Sequence, residues 1–151
     1  MQVVDVRRPT APLTLATTLV LPAHPSSLRL GRHAAVAWLR FAPGYHKDTV
    51  LLLVTEILAN AVEHSEGPLV LSICSTADHM RVEVTDAAPL ASPLGPDHVE
   101  RVEDEGRHLK MMKLLADRWG IELRLADDDA HVRVVWFECS RGLSSRMRAA
   151  T

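Results

Sequence analysis

Two pairs of short apolar segments constrain this chain most. "LVLSICST" and "MRVEVTD" are separated only by "ADH", and "IELRLA" reaches "HVRVVWFEC" across "DDD". Period-two patterning over such lengths reads as strand, and joints this short read as hairpins or turns. A further strand is expected over 13–21, where Leu13, Leu15, Thr17, Leu19 and Leu21 alternate with Thr14, Ala16, Thr18 and Val20. Helical periodicity falls in three other places. "HPSSLRLGRHAAVAWLRF" opens with a serine N-cap candidate and ends before Pro43-Gly44. A second helix is expected from Lys47 or Asp48 to about Ser65, ended by Gly67-Pro68. "RHLKMMKLLADRW" is the third, stopped by Gly120.

The order is therefore β-α-α-β-β-α-β-β. Helices do not alternate with every strand, so a doubly wound parallel fold is excluded. The expected class is α+β: an α/β sandwich with a mixed, mainly antiparallel sheet and helices on one face. One domain is expected over 1–151, with its core at about 13–139. Between the third and fourth strands residues 87–106 form a long connection with three prolines, two glycines and acids from Glu100 to Glu105. A connection of that length in a small domain reads as a lid or a disordered segment, expected to be mobile without ligand.

Composition excludes some functions. The chain has 151 residues, is 47% hydrophobic and 24% charged, and has a formal net charge of -2. That is enough apolar material for a core and gives no electrostatic case for nucleic acid. No apolar run approaches membrane-spanning length. The threonines near the N-terminus make that stretch read as a strand rather than a signal peptide. Cys74 and Cys139 lie in strand-like segments without metal spacing, so buried free thiols in a reducing cytoplasm are expected.

The second helix raises the functional question. In "EILANAVEH", Glu56, Asn60 and His64 recur every fourth residue inside a very apolar segment. On a helix they form one stripe. A helical wheel puts Asp48, Thr49, Thr55, Glu56, Asn60, Glu63 and His64 on one half. The stripe is either the solvated side of an amphipathic helix or the wall of a ligand site. Asp86 closes "MRVEVTD" immediately before the long loop, where it can start a turn or accept from a ligand donor. In "EDEGRHL", Gly106 before a helix start lets N–H groups turn towards an anion, and Arg107, His108 and Lys110 crowd the same turn. Those cations oppose the helix dipole unless an anion compensates.

Taken in order, these segments resemble a known family. "TEILANAVEHSEGPLVLSI" resembles the N box of the ATPase and kinase superfamily that includes gyrase, heat-shock chaperones and sensor histidine kinases, the GHKL superfamily with its Bergerat-type ATP-binding fold. "VEVTDAAP" resembles its first glycine box and "EGRHLKMMKLLADRWG" its second. "VRVVWFE" and "LPAHPSSLRLGRHAAVAWL" are similar to the closing strand and leading strand–helix of one branch, the anti-sigma-factor serine kinases and their stand-alone ATP-binding relatives.

The resemblance implies ATP and Mg²⁺ as cofactors. Asn60 would hold Mg²⁺ through its amide oxygen, and Glu56 would polarise the attacking nucleophile. Asp86 would accept from the adenine amine, and His64 would neighbour the phosphates. Residues 87–106 would be the ATP lid, and Gly106 with the following N–H groups of Arg107, His108 and Leu109 would hold phosphates. The implied activity is that of an anti-sigma factor with serine-kinase activity, bound to a sigma factor and acting on an anti-anti-sigma protein of STAS type, as a cytoplasmic homodimer. Two departures stand out. Asp86-Ala87-Ala88-Pro89 replaces Asp-x-Gly, and His108 stands where the branch usually has a second glycine, which lowers the expected ATP affinity. The alternative is a non-catalytic or weakly ATP-binding interaction module of the same fold.

Overall fold

The computed structural model describes residues 15–65, 67–75, 78–86, 109–125 and 131–142. Strands β1 (Leu15–Leu21), β2 (Leu69–Ser75), β3 (His79–Asp86), β4 (Arg118–Leu125) and β5 (His131–Ser140) form a five-stranded sheet in the order β1-β2-β3-β5-β4. Every pairing in it is antiparallel. Helices α1 (Ser26–Phe41), α2 (Lys47–His64) and α3 (Lys110–Leu115) supply the second layer. The α+β reading stands, and among the described strands the sheet is antiparallel throughout.

The core lies between helices and sheet because the strand alternation sends one set of side chains there. Leu69, Leu71 and Ile73 of β2, Met80, Val82 and Val84 of β3, and Val135 and Phe137 of β5 are buried with Ala35 and Trp38 of α1 and Leu53, Ile57 and Leu58 of α2. Registers Leu71↔Val84, Val84↔Val135 and Val82↔Phe137 keep these residues on one face. A side chain at Gly31 would run into Leu58 and come within 3.4 Å of Leu71, so glycine lets α1 lie close on α2 and β2.

The other face is closed by charge. Arg81 donates to Glu83 at 2.8 Å and to Glu138 at 2.9 Å, and Arg124 donates to Glu83 at 3.1 Å and to Glu122 at 3.0 Å. The Arg81 guanidinium sits 3.9 Å from the Trp136 ring centroid. This layer of long side chains buries Trp136 and Val134 on the face away from the helices. Burial alone would raise the Glu83 carboxyl, but the hydrogen bonds from Arg124 and Arg81, with their charges, hold it below its ordinary value.

Two local readings are corrected. The serine N-cap of α1 is absent: the His24 ring nitrogen accepts from the Ser26 N–H at 3.1 Å, and Ser27 is buried with its hydroxyl donating to the Pro22 carbonyl. His46 plays the same part for α2, its Nδ1 accepting from the Thr49 N–H at 3.2 Å. The third helix does not reach Gly120. It ends at Leu115, the Asp117 N–H already donates to the Glu138 carbonyl, and β4 begins at Arg118. Gly120 is a strand residue facing Trp136, where a Cβ would stand 2.9 Å from the indole. Its glycine serves close packing rather than helix termination.

Candidate functional site

The α2 stripe is not uniformly wet. His64 and Glu63 are exposed at its end and Glu56 is half-buried, but Asn60 is only 3% exposed. Asn60 is thus an interior residue, against the solvent-facing position its polarity suggests. Among the described residues neither its amide oxygen nor its amide nitrogen has a hydrogen-bond partner. Burying an unpaired amide costs about 1–3 kcal/mol, and asparagine is a poor helix former. Such a group calls for an explanation, and a bound ion is one of those that proteins use. Glu56 lies one turn earlier on the same helix, about 6 Å along its axis.

Asp86 is the second such group. It ends β3 on the helix-facing side, level with Leu69 of β2 and Arg133 of β5. It is 1% exposed and therefore not a surface turn-starter. Its Oδ2 accepts from Arg133 Nη2 at 2.6 Å and from Nε at 3.2 Å. Its Oδ1 is buried with no partner among the described residues. The carboxylate therefore has its countercharge on one oxygen and a bare acceptor on the other.

Leu109 is fully buried at the N-cap position of α3, and its carbonyl accepts from the Met112 N–H at 3.1 Å. Its side chain belongs to the core, so any part in ligand binding falls to its backbone. Gly106, Arg107 and His108 and the expected lid, 87–106, lie outside the described residues. Among the described residues no cluster of three His, Cys, Asp or Glu side chains could hold a metal ion, and no helix is long and apolar enough to cross a membrane.

Arg133 is absent from the residues that the sequence singled out. Its signal is present but faint: in "HVRVVWFEC" it shares the parity of Val135, Phe137 and Cys139, the strand's inward set. Only the register shows that this inward arginine faces the acid ending the neighbouring strand.

Chemically, the arrangement offers a hard neutral oxygen on Asn60, a nearby carboxylate on Glu56 and an oriented acceptor on Asp86. These are the groups needed to hold a hydrated hard cation, act on a hydroxyl and read an N–H donor. The chain is similar to known proteins. The family model described as the histidine kinase-like ATPase domain matches residues 21–136. An uncharacterized protein of Streptomyces coelicolor is 32% identical over 74 residues, covering 47% of this chain and 70% of that protein. The RsbU and RsbW domains of Rv1364c from Mycobacterium tuberculosis match 87% of this chain with a TM-score of 0.56 and 15% identity. At that identity the likeness is one of fold, and this chain spans 35% of the solved chain.

Proposed function

The chain belongs to the histidine kinase-like ATPase domain family, and from that premise we propose that it is an ATP-binding anti-sigma factor that phosphorylates a serine of an anti-anti-sigma antagonist. The observation that carries the reading is Asn60, a buried amide without a partner among the described residues. Its oxygen suits Mg²⁺, which takes hard oxygen ligands from protein, water and phosphates. Bound there, Mg²⁺ would offset the negative charge of the triphosphate.

The chain's own residues supply the rest. Glu56 polarises the attacking serine hydroxyl and takes its proton as the oxygen bonds to the γ-phosphorus and ADP leaves. Asp86 presents Oδ1 to the adenine amine. His64, exposed at the end of α2, neighbours the phosphates, and the backbone from Gly106 to Leu109 binds them. The sigma factor and the STAS-type antagonist are the proposed partners, and the proposed working form is a cytoplasmic homodimer. Support comes from the resemblance in the N box and the glycine boxes, together with the fold shared with the RsbU and RsbW domains.

Transfer of radiolabelled phosphate from ATP to a candidate antagonist tests the reading. Glu56→Ala is expected to abolish transfer while nucleotide and sigma-factor binding persist, because Glu56 is assigned to chemistry and not to anchoring. A wild-type protein that binds its partners but never transfers phosphate would identify a non-catalytic interaction module instead.

A further inference from the structure

The pairing of Asp86 with Arg133 is lopsided. A guanidinium and a carboxylate commonly meet as two forks, with one N–H on each oxygen. Here Arg133 Nε at 3.2 Å and Nη2 at 2.6 Å both meet Oδ2. A fork-to-fork pair would have consumed Oδ1, which instead remains buried and unpartnered among the described residues. Arg133 is itself only 6% exposed and rises from β5 in register with Asp86 on β3, so both ends of the pair stand on central strands of the sheet. Central strands are among the most rigid positions a fold offers.

We propose that Arg133 is a positioning residue that sets the base selectivity of the nucleotide site: by engaging Oδ2 alone it holds Asp86 with Oδ1 as an obligate acceptor, so the site takes a purine with an amino group at its six-position and rejects a six-oxo purine. This deepens the proposed nucleotide-binding reading and rests on it. The physical reason is directional. An ionised carboxylate oxygen can only accept, and a six-oxo group brings a second acceptor to it. Without Arg133 the carboxylate loses its buried countercharge and its fixed rotation, and either oxygen can turn away or take water. Arg133 touches no phosphate in this assignment, so its loss should erode selectivity between bases more than it erodes the phosphate share of affinity.

The test compares ATP with inosine triphosphate, each with Mg²⁺, on wild type, Arg133→Met and Arg133→Lys, by calorimetry. Circular dichroism confirms the fold of each variant. Wild type is expected to prefer ATP by about tenfold to a hundredfold, the range for one hydrogen bond to a charged group. In Arg133→Met the ratio should fall to within a few-fold of unity, with binding of inosine triphosphate little changed. In Arg133→Lys, which keeps the charge but not the paired donors, it should fall severalfold and remain above the methionine variant. Loss of a buried countercharge can unfold a domain, and if Arg133→Met does not fold, Arg133→Lys decides. A folded variant that keeps the full wild-type ratio overturns the role of Arg133 and leaves the nucleotide reading standing. A wild type that binds neither nucleotide overturns both.

Discussion

Replacing Asn60 with leucine should make the ligand-free protein more stable and the site useless. Asn60 is 3% exposed on α2, and its amide oxygen and nitrogen are both without partners among the described residues. Removing an unpaired buried amide returns about 1–3 kcal/mol. Leucine adds about 0.5 kcal/mol as the better helix former. It keeps the branch at Cγ but is bulkier at its tips, and overpacking takes back about 1–2 kcal/mol. The expected balance is a gain of about 1 kcal/mol, or a rise in Tm of about 2–4 °C for a chain of this size. Ligand response should run the other way. Mg·ATP should raise the melting temperature of wild type by mass action and leave that of Asn60→Leu where it was. Thermal melts of both proteins, with and without Mg·ATP, read all four states. A ligand-free Asn60→Leu that is about 2 kcal/mol less stable than wild type would refute the reasoning, because the amide would then be satisfied within the fold.

Other outcomes follow from particular contacts. Gly120→Ala places a Cβ 2.9 Å from the Trp136 indole, so a loss of about 1–3 kcal/mol is expected in urea melts, with a changed tryptophan fluorescence. Glu83 is held below its ordinary value, so its stabilising contribution is complete above the unfolded carboxyl value of about 4.3 and fades as pH falls towards its lower folded value. Urea midpoints of wild type should therefore fall across that acid window more steeply than those of Glu83→Gln. His108 stands where the family branch has glycine, and His108→Gly should tighten ATP binding about tenfold by removing a side chain from the phosphate turn; titration showing weaker binding would make His108 a phosphate ligand.

The sequence carried the sheet well because its hairpin segments depend on period-two patterning that neighbouring strands reinforce. The central position of β5 comes from its pairing with both β3 and β4, and Trp136 is buried beneath Arg81. Burial of polar side chains is a different matter. Asn60 falls on the polar half of a helical wheel, and only its tertiary surroundings bury it. Asp86 could be named but its state could not, because the oxygen that Arg133 engages depends on a register 47 residues apart in sequence. Gly120 read as a helix stop because glycine after a periodic run usually is one, whereas here it makes room for an indole on the next strand. The cap of α1 was misread for a related reason: the His24 imidazole accepts from the Ser26 N–H, and no serine side chain caps the helix.

Calorimetric titration of the wild-type protein with ATP, once with excess Mg²⁺ and once with EDTA, beside the same pair for Asn60→Ala, tests the central claim most directly. Binding should be present with Mg²⁺ and weaker by tenfold or more in EDTA, and the mutant should show neither the tight phase nor the metal dependence. Equal ATP affinity in wild type and mutant, or affinity in wild type that ignores Mg²⁺, would contradict the assignment of Asn60 as the metal-holding residue of a nucleotide site.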